Sequence, residues 1–98
     1  MFARLTIVQW KSGKQDEALK IFRESVIPAF KSQKGSRGGY LLTDPKTGKG
    51  IAIAFWDSEE DAIASEKSYY QQQLSKFKDL FAAPPVREEY VVSVQEVW

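Results

Sequence analysis

Two kinds of hydrophobic periodicity alternate along the chain, and their order constrains the fold more than any other feature. Apolar residues recur at every second position where a strand is predicted, and about every 3.6 positions where a helix is predicted. The predicted order is strand, helix, strand, strand, helix, strand, at residues 2–10, 15–35, 39–43, 49–56, 58–83 and 86–98. This order predicts a ferredoxin-like α+β fold, with both helices on one face of an antiparallel sheet.

Length and charge limit the classes of protein that the chain can represent. A chain of 98 residues is long enough for one hydrophobic core and too short for two, so residues 1–98 are expected to form a single domain. The formal net charge of +1 gives no general attraction to nucleic acid or to anionic lipid. The longest apolar run, 51–56, is far shorter than the ~20 residues of a membrane helix, and no signal-peptide stretch is present. We expect a cytoplasmic protein that binds neither nucleic acid nor membrane.

The residue types that most often mark catalytic or metal chemistry are missing. The chain has no Cys and no His, which excludes disulfides, thiolate metal sites and a cysteine nucleophile. Its carboxylates are not spaced as paired ligands, and the acidic cluster at 57–61 is typical of the first turn of a helix, with Ser58 as the capping residue. We therefore predict no metal and no cofactor.

Both faces of the predicted sheet are apolar, whereas a sheet with helices on one side should be polar on the other. Ile51, Ile53 and Phe55 alternate with a second apolar set, which comprises Ala52, Ala54 and Trp56. Exposing large apolar side chains would forfeit roughly 1.5–3 kcal/mol each. A homodimer is the simplest remedy, with Ala52, Ala54 and Trp56 expected at the interface. The alternative is a twisted sheet that its own termini partly cover.

The two predicted helices contain aromatic side chains that could surround a flat, hydrophobic ligand: Phe22, Tyr69, Tyr70, Phe77 and Phe81. Aromatic residues at helical spacing are also typical of an ordinary core. Glu66 lies near the edge of the same stripe, so that Glu66 and Tyr70 are candidate catalytic residues. A buried Glu has a raised pKa, which suits it to deprotonate an acidic phenol or enol. Alternatively, Glu66 is solvated and pairs with lysines, and Tyr70 belongs to the core.

Residues 35–71 contain a glycine turn that leads into a short strand, a hairpin with Thr-Gly-Lys, and the run Phe-Trp-Asp-Ser-Glu-Glu at the head of the second helix. In these features the chain resembles the antibiotic biosynthesis monooxygenase-like family of dimeric α+β barrels. The resemblance implies that two sheets meet face to face, with a ligand pocket in each subunit between helices and sheet. It also implies one of three roles: cofactor-independent oxidation of polycyclic phenols or quinols, haem degradation, or a role not yet known.

The chain departs from the haem-degrading members of this family at their decisive positions. Those enzymes use a His and a Trp on the second helix and an Asn on the first strand, but this chain has no His and no Asn, and Trp10, Trp56 and Trp98 lie outside the second helix. This argues against haem degradation. The function expected from the resemblance is a cofactor-independent, monooxygenase-like protein that acts on or binds a small aromatic or hydrophobic metabolite. The alternative is a non-catalytic, dimeric ligand-binding or interaction module on the same fold.

Overall fold

The computed structural model describes all residues from Met1 to Trp98 and contains four strands and two long helices. In chain order these are β1 (Phe2–Gln9), α1 (15–31), β2 (Ser36–Thr43), β3 (Lys49–Trp56), α2 (59–75) and β4 (Val86–Val91). The strands form one antiparallel sheet in the order β2-β3-β1-β4. The ferredoxin-like α+β fold predicted from the sequence is confirmed.

Helix α1 is interrupted by a π-helical turn. It consists of an α-helical segment Gln15–Ile21, a π turn Phe22–Val26 and a second α-helical segment Ile27–Lys31. Pro28 lies two residues after Val26, the last residue of the π turn. Because proline has no N–H and its ring crowds the preceding turn, a wider turn at this point relieves the conflict. The predicted end of the helix at Gly35 was wrong, since the helix ends at Lys31 and the positive φ of Gly35 belongs to the turn before β2.

Helix α2 begins at the predicted cap, where Ser58 Oγ accepts a hydrogen bond of 3.2 Å from the backbone N–H of Asp61. It also contains a π turn, Glu66–Tyr70, and it ends at Ser75 rather than at 83. The extra residue of this turn rotates the buried face by about 100°. Ala62 is therefore buried where Ile63 was expected, and Ile63 is 61% exposed.

The helices cover the face of the sheet formed by Phe2, Arg4, Thr6, Val8, Ala52, Ala54 and Trp56. Trp56 is fully buried, and its ring packs against Phe30 and Tyr69, with ring centroids 5.1 and 6.2 Å apart. The prediction that Ala52, Ala54 and Trp56 face outward was wrong, because these residues belong to the core side of β3. The two faces of β3 were exchanged in the sequence-based assignment.

No helix covers the opposite face of the sheet, which we call the open face. Residues that are paired across neighbouring strands point to the same side. The pairing places ten apolar side chains there: Ala3, Leu5, Ile7, Tyr40, Leu42, Ile51, Ile53, Phe55, Val86 and Tyr90. Tyr40, Leu42, Val86 and Tyr90 are exposed. The apolar second face predicted from the sequence is therefore present, but with Ile51, Ile53 and Phe55 as its β3 residues.

Strand β4 is shorter than the predicted 86–98. After Val91, the backbone N–H of Val92 donates to the carbonyl of Met1 at 2.9 Å, and the residues that follow form no strand. Neither helix has the length and apolar character that a membrane span requires.

Candidate functional site

A cavity of about 800 Å³ lies between the two helices and the covered face of the sheet. This volume falls within the range of ordinary small-molecule sites. The aromatic residues singled out from the sequence all line it: Phe22, Tyr69, Tyr70, Phe77 and Phe81. Val8, Trp10 and Leu74 extend the same apolar wall. The cavity therefore offers a large apolar surface to a flat ligand.

Both π turns contribute side chains to this cavity. Phe22 and Val26 come from the turn in α1, and Tyr69 and Tyr70 come from the turn in α2. A π turn changes the direction of the side chains that follow it, and such turns are frequent at functional sites. As a result, the consecutive residues Tyr69 and Tyr70 both line the cavity. In a regular α-helix their side chains would point in directions about 100° apart.

Gly39 permits the close approach of β2 to β3 at the edge of the cavity. A Cβ atom at this position would lie 2.1 Å from the carbonyl oxygen of Ile53, which is far inside contact distance. The pairing of β2 with β3 is irregular between Ser36 and Gly39. Ser36, Gly38 and Gly39 line the cavity at this irregular end.

One cluster of polar groups in the cavity lies beside β1. The hydroxyls of Thr6 and Tyr70 are 2.9 Å apart and share a hydrogen bond. The Arg4 guanidinium lies 4.5 Å from the centre of the Tyr70 ring, within the range of a cation–π contact. Arg4 Nη2 also donates to the carbonyl oxygen of Ala62 at 2.9 Å. Arg4, Thr6 and Tyr70 thus form one polar cluster in a mostly apolar lining, which also includes Arg23, Lys31, Ser36 and Gln73.

Glu66 does not line the cavity, and its ionisation differs from the prediction. Its carboxylate accepts hydrogen bonds from Arg87 and from Gln71 Nε2, the latter at 2.8 Å. Burial alone would raise the pKa of Glu66, but the hydrogen bonds from Gln71 and Arg87, with the charges of Arg87 and Arg4, together lower this pKa below its ordinary value. The expected raised pKa was wrong, because arginines rather than apolar groups surround the carboxylate.

Tyr69 is the most strongly perturbed phenol near the site. Burial raises the pKa of Tyr69 to about 12, with an opposing effect from the charge of Arg4 and a smaller contribution from Tyr70. Its hydroxyl is therefore protonated across the physiological pH range. Tyr69 can act at the cavity wall as an apolar ring with a neutral hydroxyl.

The sequence analysis did not single out Arg4 and Thr6, which line the cavity, or Arg87, which contacts Tyr70 and Glu66 beside it. A signal for Arg4 was nevertheless present, because it is the only charged residue in the strongly apolar segment Phe2–Gln9. It shares a strand face with Phe2, Thr6 and Val8, all of which are buried. A charged residue on the apolar face of a strand is expected either to pair with another buried group or to contact a ligand.

No family model matches the sequence. Two uncharacterized proteins of Mycobacterium tuberculosis, from strains CDC 1551 and H37Rv, are each 29% identical to the chain over 97 residues. The match covers 95% of this chain but only 41% of either relative. The chain thus spans about two fifths of the length of the curated relatives it matches.

Fold and cavity together define a ferredoxin-like α+β protein with a helix–sheet pocket. Solved structures with the same fold align over nearly the whole chain. SnoaB, a cofactor-independent oxygenase of Streptomyces nogalater, aligns with a TM-score of 0.81 and 14% identity over 96% of this chain and 94% of its own. A Nitrosomonas europaea protein, provisionally named an antibiotic biosynthesis monooxygenase, aligns with a TM-score of 0.79 and 16% identity over 96% and 100%. The chain therefore has the fold of the antibiotic biosynthesis monooxygenases, as its sequence resemblance implied.

Proposed function

We propose that the cavity binds a small, flat, largely aromatic metabolite and that the protein oxidises this molecule with O2 and without a cofactor. The observation that supports this most directly is the cavity of about 800 Å³, with its aromatic walls and its polar group at β1. The fold shared with SnoaB, a cofactor-independent oxygenase, is consistent with the proposal. The same fold hosts different activities in general, so the site has to support the chemistry by itself.

The proposed chemistry draws its electrons from the substrate. A CH₂ group between two aromatic rings loses a proton, and the resulting carbanion or enolate reacts with O2. Overall, CH₂ and O2 become C=O and H2O: one oxygen atom remains on the carbon, and the other leaves as water with the two hydrogens. The protein has to supply orientation, stabilisation of the anion and a site that excludes water.

Tyr70 is the residue we propose to contact the reacting part of the substrate. It lines the cavity, and its hydroxyl shares a hydrogen bond with Thr6 that fixes its position. The adjacent Arg4 guanidinium favours negative charge nearby. A phenol held in this way can donate a hydrogen bond to a substrate oxygen as negative charge develops there.

For Glu66 we propose a catalytic contribution through its neighbours. Its carboxylate holds Arg87, whose guanidinium lies 5.2 Å from the centre of the Tyr70 ring. Its lowered pKa keeps it ionised at neutral pH, so that it positions Arg87 in the charged state. Because Arg87 is then no longer held beside the Tyr70 ring, loss of this carboxylate should lower kcat more than it raises KM.

A non-catalytic binding module is the second candidate, and one observation favours it. The cavity lining contains no Asp, Glu, His or Cys side chain, and the nearest candidate base, Glu66, has a lowered pKa. Deprotonation would then depend on the acidity of the substrate itself or on water. A site of this kind can bind an aromatic metabolite without converting it.

We further propose that a second copy of the chain covers the open face. The face presents ten apolar side chains from all four strands, and large residues such as Tyr40 and Tyr90 are more than half exposed. Contiguous apolar surface of this kind marks an interaction site, and two-fold self-association is the commonest solution. In this arrangement the β3 residues at the interface are Ile51, Ile53 and Phe55 rather than Ala52, Ala54 and Trp56, which were predicted from the sequence.

Oxygen consumption distinguishes the two candidate functions. Anthrone-like and quinol substrates are incubated with the wild type, with Tyr70→Phe and with Glu66→Gln, while Glu60→Gln serves as the control because Glu60 is an exposed acid on the same helix. We expect turnover by the wild type and by Glu60→Gln, and at least a tenfold loss in kcat for Tyr70→Phe. Wild-type turnover that both site variants retain would refute the catalytic assignment. Binding without any turnover by the wild type would establish the binding module.

A further inference from the structure

Arg4 is a buried cation with hydrogen-bonding capacity that the protein does not use. Its side chain is 2% exposed, and of its three nitrogens only Nη2 makes a hydrogen bond, to the carbonyl of Ala62. Nε and Nη1 are buried without any hydrogen-bond partner. Buried arginine donors are normally satisfied, because leaving them unpaired costs free energy, so each unused donor requires an explanation.

The neighbouring carboxylates do not satisfy these donors. Glu89 lies 3.7 Å from Nε and Glu66 lies 3.9 Å from Nη2, both beyond hydrogen-bond distance, and neither is paired with Nη1. Both carboxylates contact Arg87 more closely, Glu89 at 2.9 Å. Glu66 and Glu89 are also 27% and 28% exposed, so that water screens their charge more than it screens that of Arg4. Arg87 is therefore their principal partner.

The surroundings of Arg4 leave the cavity as the direction for an additional partner. The Tyr70 ring lies 4.5 Å from the guanidinium carbon and the Trp56 ring lies 6.0 Å from it. Arg4 itself lines the cavity, next to the Thr6 and Tyr70 hydroxyls. A second cavity residue, Trp10, has an unpaired, buried indole N–H as well. The unpaired polar groups of the cavity wall are thus all donors, which suits a ligand that brings acceptors.

We propose that Arg4 binds an anionic oxygen of the ligand, either a carboxylate or the ionised hydroxyl of an acidic phenol or enol, so that the cavity selects aromatic anions over neutral molecules of the same shape. An anionic oxygen would satisfy the unused donors with charge-assisted hydrogen bonds, which are the strongest of their kind. The inference rests on the proposed function, from which it takes the flat, aromatic shape of the ligand. It adds that the ligand carries a negative charge.

The selection is testable with matched probes in isothermal titration calorimetry at pH 8. The first pair is 2-naphthoate and 2-naphthamide, which share a ring system and differ in charge. The second pair is a nitronaphthol that is ionised at this pH and its methyl ether, and it tests the phenolate source separately. We expect the wild type to bind at least one anion ten times more tightly than its neutral counterpart. The pair that shows this preference identifies the source of the anionic oxygen.

Substitution of Arg4 tests whether this residue causes the preference. Arg4→Met preserves length and apolar packing, and we expect it to abolish most of the preference for anions, with Arg23 and Lys31 still in place in the cavity lining. Arg4→Lys retains the charge and should keep part of the preference. Arg37→Met is the matched control, since Arg37 is exposed, pairs with Asp57 and does not line the cavity. It should bind the probes like the wild type.

A readout on the unmodified protein covers the case in which Arg4 variants do not fold. In ¹⁵N NMR spectra of the wild type, the Arg4 Nε–H resonance should shift with the preferred anion and change little with its neutral counterpart. Equal wild-type affinities for both members of both pairs, or an undiminished preference in folded Arg4→Met, would overturn the inference. Failure of every probe to bind would instead refute the proposed ligand class, and hence the proposed function, so that the two failures are distinguishable.

Discussion

The two faces of the sheet are built from the same four strands and are both apolar, yet their surroundings differ. The covered face includes polar side chains, among them Arg4 and Thr6, because the helices supply partners such as the Ala62 carbonyl and the Tyr70 hydroxyl. The open face has apolar side chains at ten positions and no helix above it. A buried polar group needs a fixed partner, whereas an apolar face needs only another apolar surface.

The two faces of the sheet therefore have different proposed roles within one domain. The covered face provides the core and the cavity, where Trp56 packs against Tyr69 of α2 and Arg4 lines the proposed ligand site. The open face is suited to association with a second copy. Substitutions on the covered face should therefore alter stability and ligand binding, whereas substitutions on the open face should alter association.

Removal of the most deeply buried large side chain should have the largest effect. Trp56→Ala leaves a cavity among Phe30, Tyr69 and the sheet, and we expect it to lower the free energy of unfolding by about 3–5 kcal/mol. Leu42→Ala, at a position of the open face that is half-exposed in the single chain, should cost less than about 1.5 kcal/mol when unfolding is measured below the dimer Kd. Urea unfolding at one protein concentration measures both. Equal losses would contradict the assignment of the two faces.

A charge at the centre of the open face should disrupt association without unfolding the chain. Ile51 lies between Ile7 of β1 and Leu42 of β2, and Ile51→Glu would bury a carboxylate against the partner. We expect the dimer Kd to rise at least 100-fold, about 2.7 kcal/mol, as measured by sedimentation equilibrium. Ile51→Val is the conservative control and should remain associated. A dimer unaffected by Ile51→Glu would place the interface elsewhere.

Alkaline titration should reveal the burial of Tyr69 on the covered face. Its pKa is raised to about 12, so the unfolded chain, with a tyrosine pKa near 10, releases this proton first as pH rises. The associated stability is complete below pH 10 and is lost between pH 10 and 12, by about 2–3 kcal/mol. Urea unfolding across this range should show a steeper decline for the wild type than for Tyr69→Phe. Parallel declines would show that Tyr69 is not desolvated.

The smallest effect is expected from the cap of the helix that covers the sheet. Ser58→Ala removes the hydrogen bond from the Asp61 N–H and should cost about 1 kcal/mol. Ser58→Thr, which retains the hydroxyl, should stay close to the wild type in thermal unfolding. A loss in Ser58→Thr as large as that in Ser58→Ala would show that the cap is not the cause.

The order of the elements could be predicted from the sequence because periodicity changes clearly at each boundary. The Ser58 cap was also readable, since a capping side chain and its acidic first turn lie within four residues. The orientation of β3 could not be read in the same way. Ile51, Ile53 and Phe55 are as apolar as Ala52, Ala54 and Trp56, and alternation alone does not say which set the helices cover.

The candidate site was predictable in its aromatic walls but not in its polar part. Phe22, Tyr69, Phe77 and Phe81 line one cavity, although Phe77 and Phe81 follow the end of α2 rather than extending its helical stripe. The environment of Glu66 depends on Arg87, which is 21 residues away in the sequence and comes from another element, so its lowered pKa had no local signal. The π turn in α2 likewise has no recognisable sequence signal. The sequence therefore did not show that Ala62, rather than Ile63, faces the core.

The central claim, that the uncovered side of the sheet is closed by a second copy, is tested most directly by sedimentation velocity of the unmodified chain at about ten micromolar. Two chains of 11.2 kDa each should sediment together as a single dimeric species, and dilution should dissociate it only at far lower concentration. A single species with the mass of one chain would contradict the account.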